Sequence, residues 1–490
     1  MRPRVLFFGI FAWYACSGGR FFAPFLQEEC GGPEVFTDAI IGISLALTRM
    51  TSSVMSPLGG AAADYCERNH PECGGRAAVL ATGTFIGTAS FVLHVAVPEG
   101  KVRCHVFLMM TQSLGMAMTG PVLDGLALGF LEETGEGRDS YGKERLYGAI
   151  SWAVANMCLG VLLDIWGYKV MYAASIVTCV AALTVLYMFV FWTNTNKAGK
   201  KYAQINSPDS ASCNSGIKNI SMKNNNAKIR FETEATPLNR IESVSSKTEN
   251  DELKSEERGT KGISTLCGSL FYGSRYACAF VFCTFLLTVG TSNVENLVFL
   301  FFRDLGGSNT MCGLSVVITV LFELPIFHLA PKLLQKYGMG RLEQIACLAY
   351  IVRVIGYTLV PSSHPFLALI LEPLHGVTYA CDKTSSVEFV ARSTPKGHEA
   401  AGQGILSALK DGGGSFLGLT LGGVLQQIYG PRVMYRTLAG AVTVGLIVFS
   451  LADKYGTVNY ETNSPIEKDQ NGTKFCTNID CIDRYNISTG

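Results

Sequence analysis

Residues 170–192 read VMYAASIVTCVAALTVLYMFVFW, a run without a single charged residue. A helix needs roughly 20 mostly apolar residues to cross the hydrocarbon core of a bilayer. We therefore predict a transmembrane helix here, and this prediction decides the fold class. The whole chain of 490 residues agrees, with 48% hydrophobic and only 16% charged residues, where soluble domains carry about 25% charged residues. This composition excludes soluble enzymes, collagen-like chains and disordered chains.

Eleven further windows of similar length and character, bounded by Gly, Pro and charge clusters, lie on both sides of this run. The twelve predicted spans are 5–26, 39–60, 77–97, 106–131, 146–166, 170–192, 276–302, 312–333, 342–360, 366–390, 401–428 and 433–451. The first window follows Arg2 and Arg4, as a signal peptide would. It lacks the usual cleavage site, and Pro24 with the acidic stretch after it suits the end of a span, so we expect a retained first helix.

Residues 194–273 separate the spans into two groups of six. This segment is rich in Ser, Asn, Lys and Glu and holds twelve basic and nine acidic residues. It cannot bury enough apolar area to offset its ordering entropy. We predict an N-terminal six-helix half at 1–193, a disordered cytoplasmic linker at 194–273, a C-terminal six-helix half at 274–452 and a disordered cytoplasmic tail at 453–490.

The orientation follows from the Lys and Arg residues in the short connections. With the N-terminus inside, the inner connections carry twelve of them and the outer connections six. Both termini are therefore expected in the cytoplasm. We expect an integral multi-pass protein of the plasma membrane, with an organelle membrane as the alternative. A net charge of +1 gives no reason to expect nucleic-acid binding.

Eight of the sixteen cysteines fall inside the spans, where Cys behaves as a small apolar residue. Cys30 and Cys104, both in outer connections, are the one pair placed so that a disulfide could form. No cysteine spacing is typical of a zinc site. We expect no metal and no cofactor, with a proton gradient as the driving force.

Ionisable residues inside the spans are the second decisive feature. A charge at mid-bilayer costs several kcal/mol, so such residues normally face the bundle interior or a water-filled cavity. This density of interior charge indicates a polar pathway through the membrane. The set consists of Arg20, Arg49, Asp124, Arg145, Glu295, Glu323, His328, Arg353, Glu372, His375, Asp382, Lys383, Glu388, Lys410 and Asp411.

Two places in this set favour function over packing. Glu323 is a mid-helix carboxylate that precedes Pro325, where the proline loosens the backbone bonding. Glu372 and His375 lie three residues apart and share one helix face. A carboxylate beside an imidazole can hold and pass a proton near neutral pH.

Other members of the set have simpler interpretations. Asp382, Lys383 and Glu388 lie toward the inner end of the tenth span, which favours snorkelling or local pairing. For Arg49 and His328 a satisfied core group and a gate residue remain equally open.

The six-plus-six layout resembles the major facilitator superfamily. Residues 141–152, YGKERLYGAISW, are similar to the fifth-helix signature of its lactose permease-like and nucleoside:proton symporter branch, in which a Gly-x-x-Arg-x-aromatic-Gly run leads to a Trp. Residues 22–25 (FAPF) and 352–356 (VRVIG), His375 and Lys410 agree in order. The resemblance implies an all-α membrane protein of twelve transmembrane helices in two six-helix halves.

The resemblance also implies roles for single residues. Arg145 would hydrogen-bond the substrate and Trp152 would stack on it, which suits a ring that bears hydroxyls. Glu323 matches the eighth-helix carboxylate that joins substrate binding to proton coupling. Asp124 and Arg20 complete the predicted substrate-binding set.

The remaining matches concern coupling and gating. His375 and Arg353 match the tenth-helix histidine and the ninth-helix arginine, and Glu372 is added to the proton-coupling set as the acid nearest His375. Glu295 and Lys410 match members of a charge-pair network between helices seven, ten and eleven. Asp64 and Arg76 would latch the inner gate, because residues 59–64 (GGAAAD) and 74–76 (GGR) approximate the first inner-loop motif, although an insertion separates the two parts.

The sequence departs from this branch at three positions. The carboxylate that partners the fifth-helix arginine falls at Ala127, and the nearest acid is Asp124, one turn earlier. The proton-releasing glutamate of the tenth helix falls at Thr378, and Glu372 replaces a lysine. Lactose itself is therefore not the expected substrate, and the coupling acid is expected on the other side of His375.

We conclude that the chain is a secondary active transporter, working as a monomer in the lipid bilayer. It would carry a small-molecule substrate, a small polar solute that is sugar- or nucleoside-like, in symport with protons by alternating access. An uncoupled facilitator is the alternative, because Thr378 occupies the proton-release position. A transporter-like membrane receptor is a further alternative, against which Arg145, Trp152 and Glu323 argue. No enzyme is expected, since no nucleophile, metal cluster or phosphate loop is in register.

Overall fold

A computed structural model describes residues 2–69, 74–136, 140–205, 274–394, 398–460, 467–468 and 474–475. The helices are α1 (Arg4–Cys16), α2 (Phe22–Glu29), α3 (Gly32–Val35), α4 (Asp38–Asn69), α5 (Gly75–Val92), α6 (Val102–Thr134), α7 (Tyr141–Trp166), α8 (Val170–Ile205), α9 (Arg275–Asp304), α10 (Asn309–Leu359), α11 (Pro373–Ser393), α12 (Glu399–Ser407), α13 (Ser415–Tyr429) and α14 (Pro431–Tyr460). Short 3₁₀ helices span Gly19–Phe21, Leu93–Ala96 and Pro365–Leu371, and a π-helix spans Ala408–Gly414. Two short strands, β1 (Glu467–Lys468) and β2 (Lys474–Phe475), pair antiparallel.

The described part of the chain contains nine helical segments that are long and apolar enough to cross a membrane. One of them, α10, consists of two helices that meet at Gly338, where a φ of 73° interrupts the helical geometry. The predicted tenth and eleventh spans correspond to α11 with its preceding 3₁₀ helix and to α12–α13 with the π-helix between them. The predicted all-α membrane fold is confirmed, and membrane crossing by these last two interrupted helices remains a prediction.

Two helices extend beyond the predicted ends of their spans. Helix α8 continues to Ile205, into the predicted linker, and α14 continues to Tyr460, into the predicted tail. The rest of the linker and most of the tail lie outside the described residues.

The two halves are joined at one side of the bundle. We call the side where α1 begins and α14 ends the terminal side, and the opposite side the far side. At the far end of α7, Asp164 accepts hydrogen bonds from the backbone N–H groups of Asn309 (2.9 Å) and Thr310 (2.7 Å) at the start of α10. Arg303 at the end of α9 forms an ion pair with Glu28. These contacts close the far side between the halves.

Close helix packing continues this closure toward mid-bundle. A Cβ atom on Gly313 of α10 would lie 2.6 Å from the carbonyl oxygen of Asn156 in α7, so only glycine allows this approach. Gly42 of α4 and Gly423 of α13 meet in the same way. The rings of Phe21 and Phe299 also meet across the halves, with 4.7 Å between centroids. Small residues at such contacts are typical of helix association in membranes.

Candidate functional site

The first predicted span is broken in the middle, and the break positions two predicted substrate-binding residues. Gly18 and Gly19 have φ values of 122° and 38°, which glycine adopts at little steric cost. They end α1 and lead into the 3₁₀ helix that carries Arg20. Trp152 of α7 packs against this turn, since a Cβ on Gly19 would lie 3.3 Å from its indole ring. Arg20 and Trp152 are thereby brought to the same level of the bundle.

Arg20 links the two halves at mid-bundle. Its Nη2 atom lies 2.9 Å from Nε2 of His375, which is buried in α11. Its other terminal nitrogen, Nη1, is buried and has no hydrogen-bond partner among the described residues. The negative charges of Glu295 and Glu372 act on this guanidinium and favour its positive charge. Arg20 therefore retains one free donor next to the space between the halves.

Glu372 is held by a buried network within the C-terminal half. Its Oε2 atom accepts from Nη2 of Arg353 at 2.9 Å and from the hydroxyl of Thr319 at 3.1 Å, while Oε1 accepts from the hydroxyl of Tyr357 at 2.5 Å. Both members of the Arg353–Glu372 pair are 1% exposed. The predicted direct pairing of Glu372 with His375 is not found, because the two side chains bond to different partners. Sequence reasoning missed Tyr357 and Thr319.

The predicted fifth-helix arginine has a carboxylate partner in the structure. Nη1 of Arg145 lies 3.0 Å from Oδ1 of Asp124, which also accepts a 2.6 Å bond from the hydroxyl of Tyr141. The side chains of Arg145 and Asp124 are 49% and 37% exposed, in contrast to the buried pair above. The acid that partners this arginine in the related branch would fall at position 127, but here Asp124, one turn earlier, forms the Arg–Asp pair. Position 127 itself holds a buried alanine.

Glu323 stands apart from these pairs. It is half-buried in α10, two residues before Pro325, and no described side chain forms a hydrogen bond or ion pair with it. The charges that act on it are Arg20, Glu295 and Arg145, which come from both halves. Glu323 is therefore a carboxylate on which two arginines of the N-terminal half act, and it forms an ion pair with neither of them in this conformation.

A cavity of about 190 Å³ lies next to these groups, mainly in the C-terminal half. It contains both signs of charge, with Arg49 of α4 as the contribution of the N-terminal half. Its lining consists of Arg49, Thr288, Thr291, Ser292, Glu295, His375, Thr378, Tyr379, Asp382, Lys383, Lys410, Asp411 and Ser415.

The cavity corrects one interpretation of the sequence. Nζ of Lys410 lies 2.5 Å from Oδ1 of Asp382, and the two side chains are 5% and 14% exposed. Asp382 is thus an interior partner of Lys410 and does not snorkel, while Lys383 lines the same cavity with its Nζ atom 6.0 Å from the ring centroid of Tyr379, one turn earlier in α11. Glu388 does pair locally, with Nε of Arg392 at 2.7 Å.

The structure adds one acid that sequence reasoning missed. Glu343 of α10 is fully buried and accepts a 2.5 Å bond from the hydroxyl of Ser385 through Oε2, while Oε1 has no partner among the described residues. The charges of Asp382 and Lys410 act on it. Glu343 is the second residue of the predicted span 342–360, and an acid inside that apolar window was the signal that could have found it.

The predicted gate residues also meet. Nη2 of Arg76 lies 2.8 Å from Oδ1 of Asp64, and the backbone N–H of Arg76 donates to Glu67 at 3.0 Å. The insertion between the two parts of the motif therefore does not prevent the contact. The pair lies at the terminal side and within the N-terminal half.

Comparison with known proteins agrees with this architecture. The sequence matches the MFS_1 like family over residues 5–437. The chain belongs to this family. The chain is similar to the maltose permease of Geobacillus stearothermophilus. The two sequences are 23% identical over 435 residues, and this match covers 88% of this chain and 89% of the permease.

Two solved transporters share the fold of this MFS_1-like protein. The nucleoside transporter NupG superimposes with a TM-score of 0.63 at 16% identity, covering 92% of this chain and 98% of NupG. A D-xylose–proton symporter superimposes with a TM-score of 0.57 at 13% identity, covering 91% and 96%. The chain is therefore a major facilitator transporter and an integral multi-pass membrane protein for a small-molecule substrate, and its family is not one of enzymes.

Proposed function

We propose that the protein is a proton-coupled symporter of a small polar solute, sugar- or nucleoside-like, that works by alternating access. The substrate site consists of Arg145, Trp152, Asp124 and Arg20, next to Glu323. This set offers guanidinium donors, a carboxylate acceptor and an indole face, which together suit a hydroxylated ring. The D-xylose and nucleoside transporters that share the fold support this substrate class.

The unpaired carboxylate of Glu323 is the observation that carries the proposal. A carboxylate that forms no hydrogen bond or ion pair with a described side chain has its charge compensated only in part, by the more distant charges of Arg20 and Arg145. Proton binding removes that charge, so the protonated and charged forms stabilise different arrangements of the halves. Arg20 and Arg145 come from the half that must move relative to Glu323. Coupling of proton binding to movement requires this geometry.

The other interior pairs have distinct tasks in this scheme. His375 contacts Arg20 across the halves, while Arg353 holds Glu372, one helical turn before His375, within the C-terminal half. Glu295, Lys410 and their cavity provide the route by which a proton leaves. The gate is the Asp64–Arg76 pair at the terminal side, which faces the cytoplasm of a monomeric plasma-membrane protein.

Transport by purified protein in liposomes tests the proposal. Labelled sugars and nucleosides are screened for uptake with and without an imposed pH gradient. We expect uptake driven by the gradient in the wild type. In Glu323→Gln we expect counterflow without gradient-driven accumulation. Glu388→Gln is the matched control, because Glu388 is a partly exposed acid paired with Arg392 on the next helical turn. Uptake by the wild type that ignores the gradient contradicts proton coupling.

An uncoupled facilitator is the second candidate, and one observation favours it. Thr378 lines the cavity where the branch carries a proton-releasing acid, and its hydroxyl donates to the carbonyl of Leu374 at 2.8 Å. The helix backbone thus satisfies this side chain. Equal uptake at all imposed gradients, together with intact counterflow, supports this candidate.

A further inference from the structure

A cluster of Cys30, His94 and His105 lies at the far side of the N-terminal half, remote from the transport cavity. Cys30 ends α2, His94 lies in the 3₁₀ helix Leu93–Ala96, and His105 lies in the first turns of α6. The three side chains are 0%, 2% and 1% exposed. One ligand atom of each lies within 4.8 Å of the others. The chain therefore brings three elements together to place a thiol beside two imidazoles.

The two imidazoles are not satisfied by the protein. Their Nδ1 atoms lie 2.7 Å apart, and the rings stack with centroids 5.0 Å apart. Nε2 of His94 and Nε2 of His105 are both buried and have no hydrogen-bond partner among the described residues. Buried polar groups nearly always have a partner. Among the described residues, the one hydrogen-bonding contact of each ring is therefore the contact between the two Nδ1 atoms, and an ion that both Nδ1 atoms bind would occupy that place.

The structure leaves the thiol free for this role. A disulfide between Cys30 and Cys104 is not formed, since both thiols are free and Cys104 is exposed while Cys30 faces the pocket. The backbone N–H of Gly100 donates to the carbonyl of Cys30 at 3.3 Å. This bond connects the loop before α6, which leads to His105, with the end of α2, which carries Cys30.

Aromatic rings surround the two imidazoles, and the carboxylate of Glu29, the neighbour of Cys30 in the chain, is the charge that acts on the thiol. Phe22 and Phe25 place their ring centroids 6.0 Å from that of His94, and Phe36 lies 5.6 Å from His105. A thiolate and two neutral imidazoles carry one negative charge. A monovalent metal ion makes the complex neutral, whereas a divalent ion leaves one positive charge in an apolar pocket, which is unfavourable.

We propose that Cys30, His94 and His105 form a binding site for Cu(I). Thiolate ligands select Cu(I) among soft metal ions, and imidazole also binds copper. Binding releases the thiol proton to solvent and replaces the hydrogen bond between the two rings. With metal–nitrogen bonds of about 2.0 Å and the angles of about 120° of a three-coordinate ion, the two nitrogens stand about 3.5 Å apart, so the Nδ1 atoms move apart by roughly 0.8 Å. The bound ion fastens the ends of α2, the 3₁₀ helix and α6 together.

Copper content of the purified full-length protein tests the site. The protein in detergent is incubated with Cu(I) under reducing, oxygen-free conditions, washed with a Cu(I) chelator and analysed for metal per chain. We expect about one copper per chain in the wild type and at least a tenfold loss in Cys30→Ser and in His105→Phe, which keeps a ring in the pocket. Cys104→Ser is the matched control and should bind as the wild type does.

The ligand environment of the copper decides between this site and the other thiols. X-ray absorption at the copper edge should show one sulfur and two nitrogen neighbours. Two sulfur neighbours would place the ion at Cys283 and Cys347, whose sulfurs lie 3.5 Å apart, and would overturn the assignment. Equal copper in the wild type and in Cys30→Ser would also overturn it, as would retention of zinc in place of copper. If a variant aggregates, the spectrum of the wild type alone decides.

Discussion

Arg20 and His375 connect the two halves at the level of the transport site, with 2.9 Å between Nη2 and Nε2. Arg20 occupies a turn made by two glycines, and His375 follows Glu372 by one helical turn. The contact joins the break in the first span to the helix that holds the buried Arg353–Glu372 pair. A movement of Arg20 in the N-terminal half therefore directly affects His375 in the C-terminal half.

Substitution of Arg20 by Met should reduce transport at least tenfold, because a hydrogen bond to a charged group contributes about 1.5–3 kcal/mol. Uptake of the identified substrate in liposomes measures this. The same substitution at Arg436 is the control, since that arginine bonds Thr358 within its own half. Equal uptake in Arg20→Met and Arg436→Met would contradict a role for the contact between the halves.

Substitution of Glu372 by Gln should destabilise the protein, because Arg353 then remains charged and buried without its partner. Removal of one member of a buried ion pair typically costs about 3–5 kcal/mol. The melting temperature in detergent should fall clearly. It should recover in part in Arg353→Met/Glu372→Leu, which restores a neutral interior but not transport. The control Glu388→Gln breaks a partly exposed pair and should change the melting temperature little, since such pairs contribute about 0.3–0.5 kcal/mol.

Substitution of Arg145 by Ala should abolish transport and leave expression and melting temperature nearly unchanged. The Arg145–Asp124 pair is partly exposed, and solvent-exposed pairs contribute only about 0–1 kcal/mol. Uptake and size-exclusion elution are measured together. Lys143→Ala, an exposed cation in the same helical turn, should transport normally. Normal uptake in Arg145→Ala would remove this residue from the substrate site.

Substitution of Asp164 by Ala should open the far side more often, because the backbone N–H groups of Asn309 and Thr310 lose their acceptor. The loss of even one such bond shifts the ratio of the two states about tenfold. Spin labels at Glu34 and Ser362 report the distance across the far side, in a background without accessible cysteines. Glu99→Ala removes an exposed far-side acid as a control. An unchanged distance distribution in Asp164→Ala would show that these bonds do not hold the halves together.

The sequence was sufficient for the regular parts of this architecture and insufficient for its interrupted helices. The length of the apolar windows predicted the spans, because every helix that crosses the bilayer must match the thickness of the same hydrocarbon core. It did not predict that Ser407–Ser415 contains a π-helix, in which the neighbours Lys410 and Asp411 both line the cavity. Asp382 was misassigned for that reason, since its partner depends on the turn of another helix.

The candidate site shows the same division. The resemblance to the fifth-helix signature pointed to Arg145 and Trp152, a charge inside a span pointed to Arg20, and the structure places Arg20 and Trp152 together. The partner of each charge could not be found in this way. Glu372 and His375 share a helix face, yet their side chains diverge because Arg353 and Tyr357 reach one and Arg20 reaches the other. The partner of an interior charge depends on how several helices pack together. The periodicity of a sequence describes only the faces of a single helix, so it does not identify that partner.

The closed far side has a consequence for how tightly the protein binds from each face of the membrane. In this conformation a solute that arrives from the far side meets Asp164 bonded to α10 and Arg303 paired with Glu28. Binding from that face requires the minor population in which these bonds are broken. The apparent dissociation constant from that face is therefore the intrinsic constant divided by the fraction of open molecules. A solute with identical contacts in both states would show weaker apparent affinity from the far side than from the terminal side.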